Sequence, residues 1–68
     1  MKATSGRELG RILVQHNWTL SRVTGSHHIY TKVGIRVHLS VPVHGNKPLK
    51  TGTLRALLKA AGLTESDL

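Results

Sequence analysis

The stretch "IRVHLSVPVH", Ile35 to His44, decides how this chain is read. Ile35, Val37, Leu39, Val41 and Val43 fall on one side of an extended backbone, and Arg36, His38, Ser40, Pro42 and His44 fall on the other. Alternation with period two marks a strand that has one face on a core and one in water. Pro42 has no amide to give to a ladder, so the strand ends there or lies at the edge of its sheet.

Upstream, Val33-Gly34 supplies a turn, His27 to Lys32 a second strand, Thr24 to Ser26 another turn, and Trp18 to Val23 a first strand. Ahead of these stands "SGRE", a capping box in which Ser5 caps the amide of Glu8 and Glu8 reaches back to the amide of Ser5. Leu9, Ile12, Leu13 and His16 then recur on one helical face, Arg7, Arg11 and Gln15 on another, and Asn17 is a left-handed stop.

Downstream, "HGNKPLKTG" is a polar connection punctuated by Gly45, Pro48 and Gly52. Thr51 reads as the N-cap of a second helix whose buried stripe is Leu54, Leu57, Leu58 and Ala61. Gly62-Leu63 has the form of a Schellman stop, and the final "TESDL" is too short to shape the fold. The expectation is an α+β fold in the order α-β-β-β-α, a three-stranded antiparallel sheet with both helices on one face, forming a single domain over residues 1–68.

The core of such a domain is small. The chain has no Phe, one Trp and one Tyr, and a core of this size rarely supplies more than ~3–5 kcal/mol. With no cysteine there is neither a disulfide nor a thiolate for metal or nucleophilic chemistry. No apolar run reaches the ~18 residues of a membrane span, and the N-terminus lacks the apolar segment of a signal peptide. A soluble, unprocessed protein of the cytoplasm is the expectation.

Charge narrows the function. All ten Lys and Arg lie within residues 1–63, where Glu8 is the only acid. A body that basic expects a polyanion, nucleic acid first, the alternatives being a solubility charge or a surface matched to an acidic protein partner. Only two aromatic side chains are available for stacking bases, and neither a phosphate loop, a dinucleotide fingerprint nor a carboxylate pair is present.

Two features carry possible chemistry. The first is "GSHHIY", where His27 shares a strand face with Ile29 and His28 with Tyr30, so one imidazole turns toward the helices and the other toward water or a ligand. An imidazole on a strand is a solvated polar group in one reading. In the other it is an acid or base acting on RNA, whose 2′-hydroxyl is a built-in nucleophile needing only a proton acceptor and cations on the phosphorane. Five histidines without metal-ligand spacing give no zinc site, and no cofactor is expected. The second feature is cationic: His44, Lys47 and Lys50 precede a helix N-terminus, and Thr51, Arg55 and Lys59 continue along one helical face at steps of four. It is either a phosphate-binding rail or a solvated basic face.

Taken together, "SGRELGRIL", Trp18, "GSHHIY" and "VPVHGNKPLKTGTLRALLKAAGL" resemble the HicA toxins of toxin–antitoxin pairs over nearly the whole chain. The resemblance implies a double-stranded-RNA-binding-domain-like fold and a metal-independent endoribonuclease that cleaves mRNA and is neutralised by a HicB antitoxin covering the site. It also implies an essential histidine, which falls on His27 directly after Gly25-Ser26, with His28 as runner-up. Ser26, His44, Lys47, Lys50, Thr51, Arg55 and Lys59 are then the candidate contacts to RNA phosphate. Asn46 and Thr51 depart from the family's usual Gly and Pro, away from the histidines. The alternative to a nuclease is a non-catalytic module that reads duplex RNA by shape, which shares the fold and the charge but has no use for the histidine pair.

Overall fold

The computed structural model describes residues 1–68, in the order α1 (Gly6–Gln15), β1 (Thr19–Thr24), β2 (His27–Lys32), β3 (Ile35–Pro42) and α2 (Thr51–Ala61), with a 3-10 turn at Glu65–Asp67. The strands form one antiparallel sheet, β1-β2-β3. The α-β-β-β-α order expected from the sequence is the one observed.

Local signals set most boundaries. Both bonds of the capping box form: the Glu8 amide donates to Ser5 Oγ and the Ser5 amide to Glu8 Oε1, each at 3.1 Å. Asn17 takes φ 72° and ends α1. Trp18 belongs to the junction rather than to β1, because its amide donates to the Leu13 carbonyl at 2.9 Å while its ring is buried. Its indole N–H has no acceptor, and the Lys32 ammonium stands 5.9 Å from its ring centroid. Thr24 pairs with His27, leaving Gly25-Ser26 as a two-residue loop whose first position, at φ 58°, suits glycine.

The core consists of Leu9 and Leu13 from α1, Trp18, Tyr30 from β2, Leu39 and Val41 from β3, and Leu54 and Leu58 from α2. Tyr30 lies opposite Leu39 and His28 opposite Val41, so the buried sheet positions share one face and both helices cover it. The alternation of β3 is buried only in its second half. Leu39 and Val41 are 2% and 0% exposed, whereas Ile35 and Val37 remain 45% and 48% exposed. Helices of ten and eleven residues reach about 15–17 Å, whereas an eight-residue strand runs about 26 Å, so the β2–β3 hairpin extends past its cover.

Gly6 and Gly10, one turn apart on α1, let the helix sit against the sheet. A Cβ at Gly6 would collide with the Pro42 carbonyl oxygen, and one at Gly10 with the Tyr30 hydroxyl. At the other end, the Gly62 amide donates to Lys59 and the Leu63 amide to Leu58, which is the Schellman pattern.

Two expectations need correction. The N-cap of α2 is Lys50, not Thr51: the Leu54 amide already donates to the Lys50 carbonyl, so Thr51 lies inside the first turn. The C-terminal residues do shape the fold, since Leu68 packs against the core and Asp67 Oδ1 lies 3.9 Å from His16 Nε2 at the end of α1. No helix is long and apolar enough to cross a membrane.

Candidate active site

The connection from β3 to α2 is polar and rich in turn residues, yet it is pinned at both ends. The Val43 amide donates to the Ser26 carbonyl at 2.6 Å, and the Leu49 amide to the Thr4 carbonyl at 2.8 Å beside an antiparallel bridge between Ser5 and Pro48. Between these ties the Lys47 amide donates to the His44 carbonyl, closing a tight turn. The loop is thereby folded against the end of the sheet where β2 begins.

That placement creates an open cleft of about 410 Å³, with His27 and Pro42 on one wall and His44, Lys47, Leu49 and Lys50 on the other. Thr53 and Pro48 complete the lining. The His27 ring is solvent-exposed and its Nδ1 lies 3.1 Å from Ser40 Oγ, a neighbour across the β2–β3 pair; Nε2 has no protein partner. One ring nitrogen is thus anchored and the other is free.

The electrostatics favour an anion. The first turn of α2 carries no acidic residue and no side-chain cap, so its leading amides and the positive end of the helix dipole are unopposed beside Lys47 and Lys50. His16 and Asp67 make the single contact within 4 Å between basic and acidic side chains, so every Lys and Arg is free of a carboxylate partner. No three His, Cys, Asp or Glu side chains come together as a metal-binding group.

Of the candidate residues, His27, His44, Lys47 and Lys50 converge on the cleft. His28 does not. It turns to the helix side, into a separate groove with Arg7, Arg11, Gln15 and Tyr30, where burial pushes the Tyr30 phenol above its ordinary value. Ser26 contributes its carbonyl to the Val43 tie. Thr51 is exposed in the first turn of α2 outside the lining, while Arg55 and Lys59 lie further along α2, at a shallow surface shared with Glu65. The rail therefore starts next to the cleft and leads away from it. Ser40 and Thr53 were not singled out from the sequence: finding Ser40 requires the β2–β3 register, and finding Thr53 requires knowing that α2 begins at Thr51.

A basic α-β-β-β-α domain with an anchored imidazole beside a cationic cleft defines a class by fold and charge, that of small α+β domains whose site suits an anion. The particular family follows from comparison: the family model described as the HicA toxin of bacterial toxin-antitoxin matches residues 6–63, and the chain belongs to that family. It is the toxin member of a pair whose other member is an antitoxin. No curated protein matches the chain closely enough to count as a relative.

Proposed function

We propose that the protein is a metal-independent endoribonuclease that cleaves mRNA, with His27 as its catalytic histidine, held in check by a HicB-type antitoxin. The observation that carries this reading is the His27 ring, fixed at Nδ1 by Ser40 and open at Nε2 toward a cleft that also holds His44, Lys47 and Lys50.

With Nδ1–H donating to Ser40 Oγ, the Nε2 lone pair of His27 accepts the proton of the ribose 2′-hydroxyl. The 2′-oxygen attacks phosphorus and the bond to the 5′-oxygen breaks. The departing oxygen takes a proton from His44, the second imidazole of the cleft. Lys47, Lys50 and the amides of the first α2 turn stabilise the added negative charge on the phosphoryl oxygens. The products are a 2′,3′-cyclic phosphate and a 5′-hydroxyl, and no step calls for a metal. An antitoxin that covers Gly25 to Tyr30 blocks the cleft by denying entry to RNA.

The test is cleavage of a long unstructured RNA in EDTA by wild type and by His27→Ala, His44→Ala and His28→Ala at matched fold. General acid–base groups contribute about 10²- to 10⁴-fold, so His27→Ala is expected to fall by that factor and His44→Ala by a smaller one, with His28→Ala within a few-fold of wild type. RNA left whole by wild type but bound by it would replace this reading with the non-catalytic RNA-binding module.

A further inference from the structure

The sheet face turned away from the helices carries cations that the cleft chemistry leaves unused. Arg22 lies opposite Ile29 and Ile29 opposite Ser40, while Thr24 lies opposite His27 and His27 opposite Pro42. Cross-strand partners and alternate residues share a face. Arg22, His27 and Ser40 therefore stand together on this side. The register shifts between Tyr30 and Lys32, but Leu39 and Ile35 pair with these two on the helix side, which puts their neighbours His38 and Arg36 on the open side as well, and all five are exposed. Both helices pack on the opposite face with Tyr30, Leu39 and Val41, and the exposure of the five side chains on this face shows that neither helix covers it. The three acids, Glu8, Glu65 and Asp67, belong to α1 and the C-terminal turn.

Continuity with the cleft gives the face a direction. His27 is at once a corner of the open face, through its contact with Ser40, and a wall of the cleft. From Pro42 back to Arg36 the strand spans about 20 Å, with side chains on this face every ~6.6 Å. Arg22 flanks the track from the β1 side.

We infer that the open sheet face binds the single-stranded RNA next to the scissile bond, guiding it over Arg36, His38 and Arg22 to His27; the direction of travel rests on the cleavage reading, the binding does not. A single strand suits the face because splayed bases can stack on guanidinium planes and lie against Ile29, while the phosphates meet cations without a competing carboxylate. Duplex RNA, read by shape, would instead engage helices and loops.

The test pairs Arg22→Ala/Arg36→Ala with Arg7→Ala/Arg11→Ala, which removes the same charge from the helix layer. Both are assayed on a 20-nucleotide unstructured RNA and on a trinucleotide containing the same cleaved bond. Expected for the sheet-face pair is a KM about ten-fold higher on the long substrate, unchanged kcat, and unchanged kinetics on the trinucleotide. The helix-layer pair stays within two-fold on both. Binding of the 20-mer and of a 20-base-pair duplex is then titrated in a His27→Ala background. The sheet-face pair should lower the salt slope for the single strand by about 1.4, at ~0.7 per lost contact, and leave the duplex unaffected. Equal effects of the two pairs, or equal losses on single strand and duplex, overturn the inference. So does wild-type RNA binding by the sheet-face pair together with lost binding of polyglutamate, which would make this a protein-docking face. Should wild type cleave no RNA, the nuclease reading falls and the titration alone decides the sheet-face proposal.

Discussion

His27 and His28 are chain neighbours with separate environments. The strand pleat sends one to the open face and the cleft, the other to the groove beside α1. In the proposed reaction Ser40 is a positioning residue for His27, through its contact with Nδ1 that leaves Nε2 without a protein partner. Ser40→Ala removes a single hydrogen bond of net worth about 0.5–1.5 kcal/mol, so kcat should fall about 2- to 10-fold with KM unchanged, whereas Ser40→Thr, which keeps the hydroxyl, restores most of the rate. A drop in RNA affinity instead would mean that Ser40 touches substrate rather than the ring. On α1, Glu8 shows how a cap reads out in pH. The Ser5 amide and, second to it, the Ser5 hydroxyl hold the Glu8 carboxylate below its usual value of about 4.5. A lowered carboxyl contributes stability that is present above its unfolded pKa and lost as pH falls through the folded one. Acid denaturation monitored by far-UV circular dichroism should therefore show a weaker dependence between about pH 4.5 and lower values in Glu8→Gln than in wild type.

The elements differ in how openly the sequence announces them. The capping box, the Asn17 stop and the Gly62-Leu63 stop are local hydrogen-bond patterns, legible because each needs only residues within a few positions of one another. The closeness of α1 to the sheet is different in kind. Gly6 and Gly10 look like weak helix residues until Pro42 and Tyr30 are seen against them, and no spacing within the helix reveals that partner. Alanine normally gains about 1 kcal/mol over glycine inside a helix, but here the added methyl meets atoms already in place, at a cost of about 1–3 kcal/mol. Gly6→Ala should be the more destabilising of the two in urea melts, because it strikes backbone while Gly10→Ala strikes a side chain that can turn. The reverse order would show that the Tyr30 ring is the more rigid obstacle. The same distinction holds for the candidate site: His27, His44, Lys47 and Lys50 could be picked from the sequence as candidates, but their meeting in one cleft depends on the Thr4–Leu49 and Ser26–Val43 ties, which join distant positions through backbone atoms alone.

At the scale of the whole molecule, a core of eight residues supports the fold. Leu13→Ala removes a fully buried side chain from its centre, and such changes cost about 2–5 kcal/mol. Against a total of roughly 3–5 kcal/mol, that variant should be largely unfolded at 37 °C by circular dichroism, and a cooperative melt above 50 °C would show a much sturdier core. The ten cations without carboxylate partners have a further effect on the free protein. They repel one another across a body less than 30 Å wide, and only dissolved ions relieve that strain. Added salt should therefore raise the melting temperature of the toxin, and on the proposed function it should weaken RNA binding over the same range. A polyanion, or an acidic antitoxin, supplies in one bound molecule the neutralisation that salt supplies diffusely, so whatever occupies the toxin also acts as its folding aid.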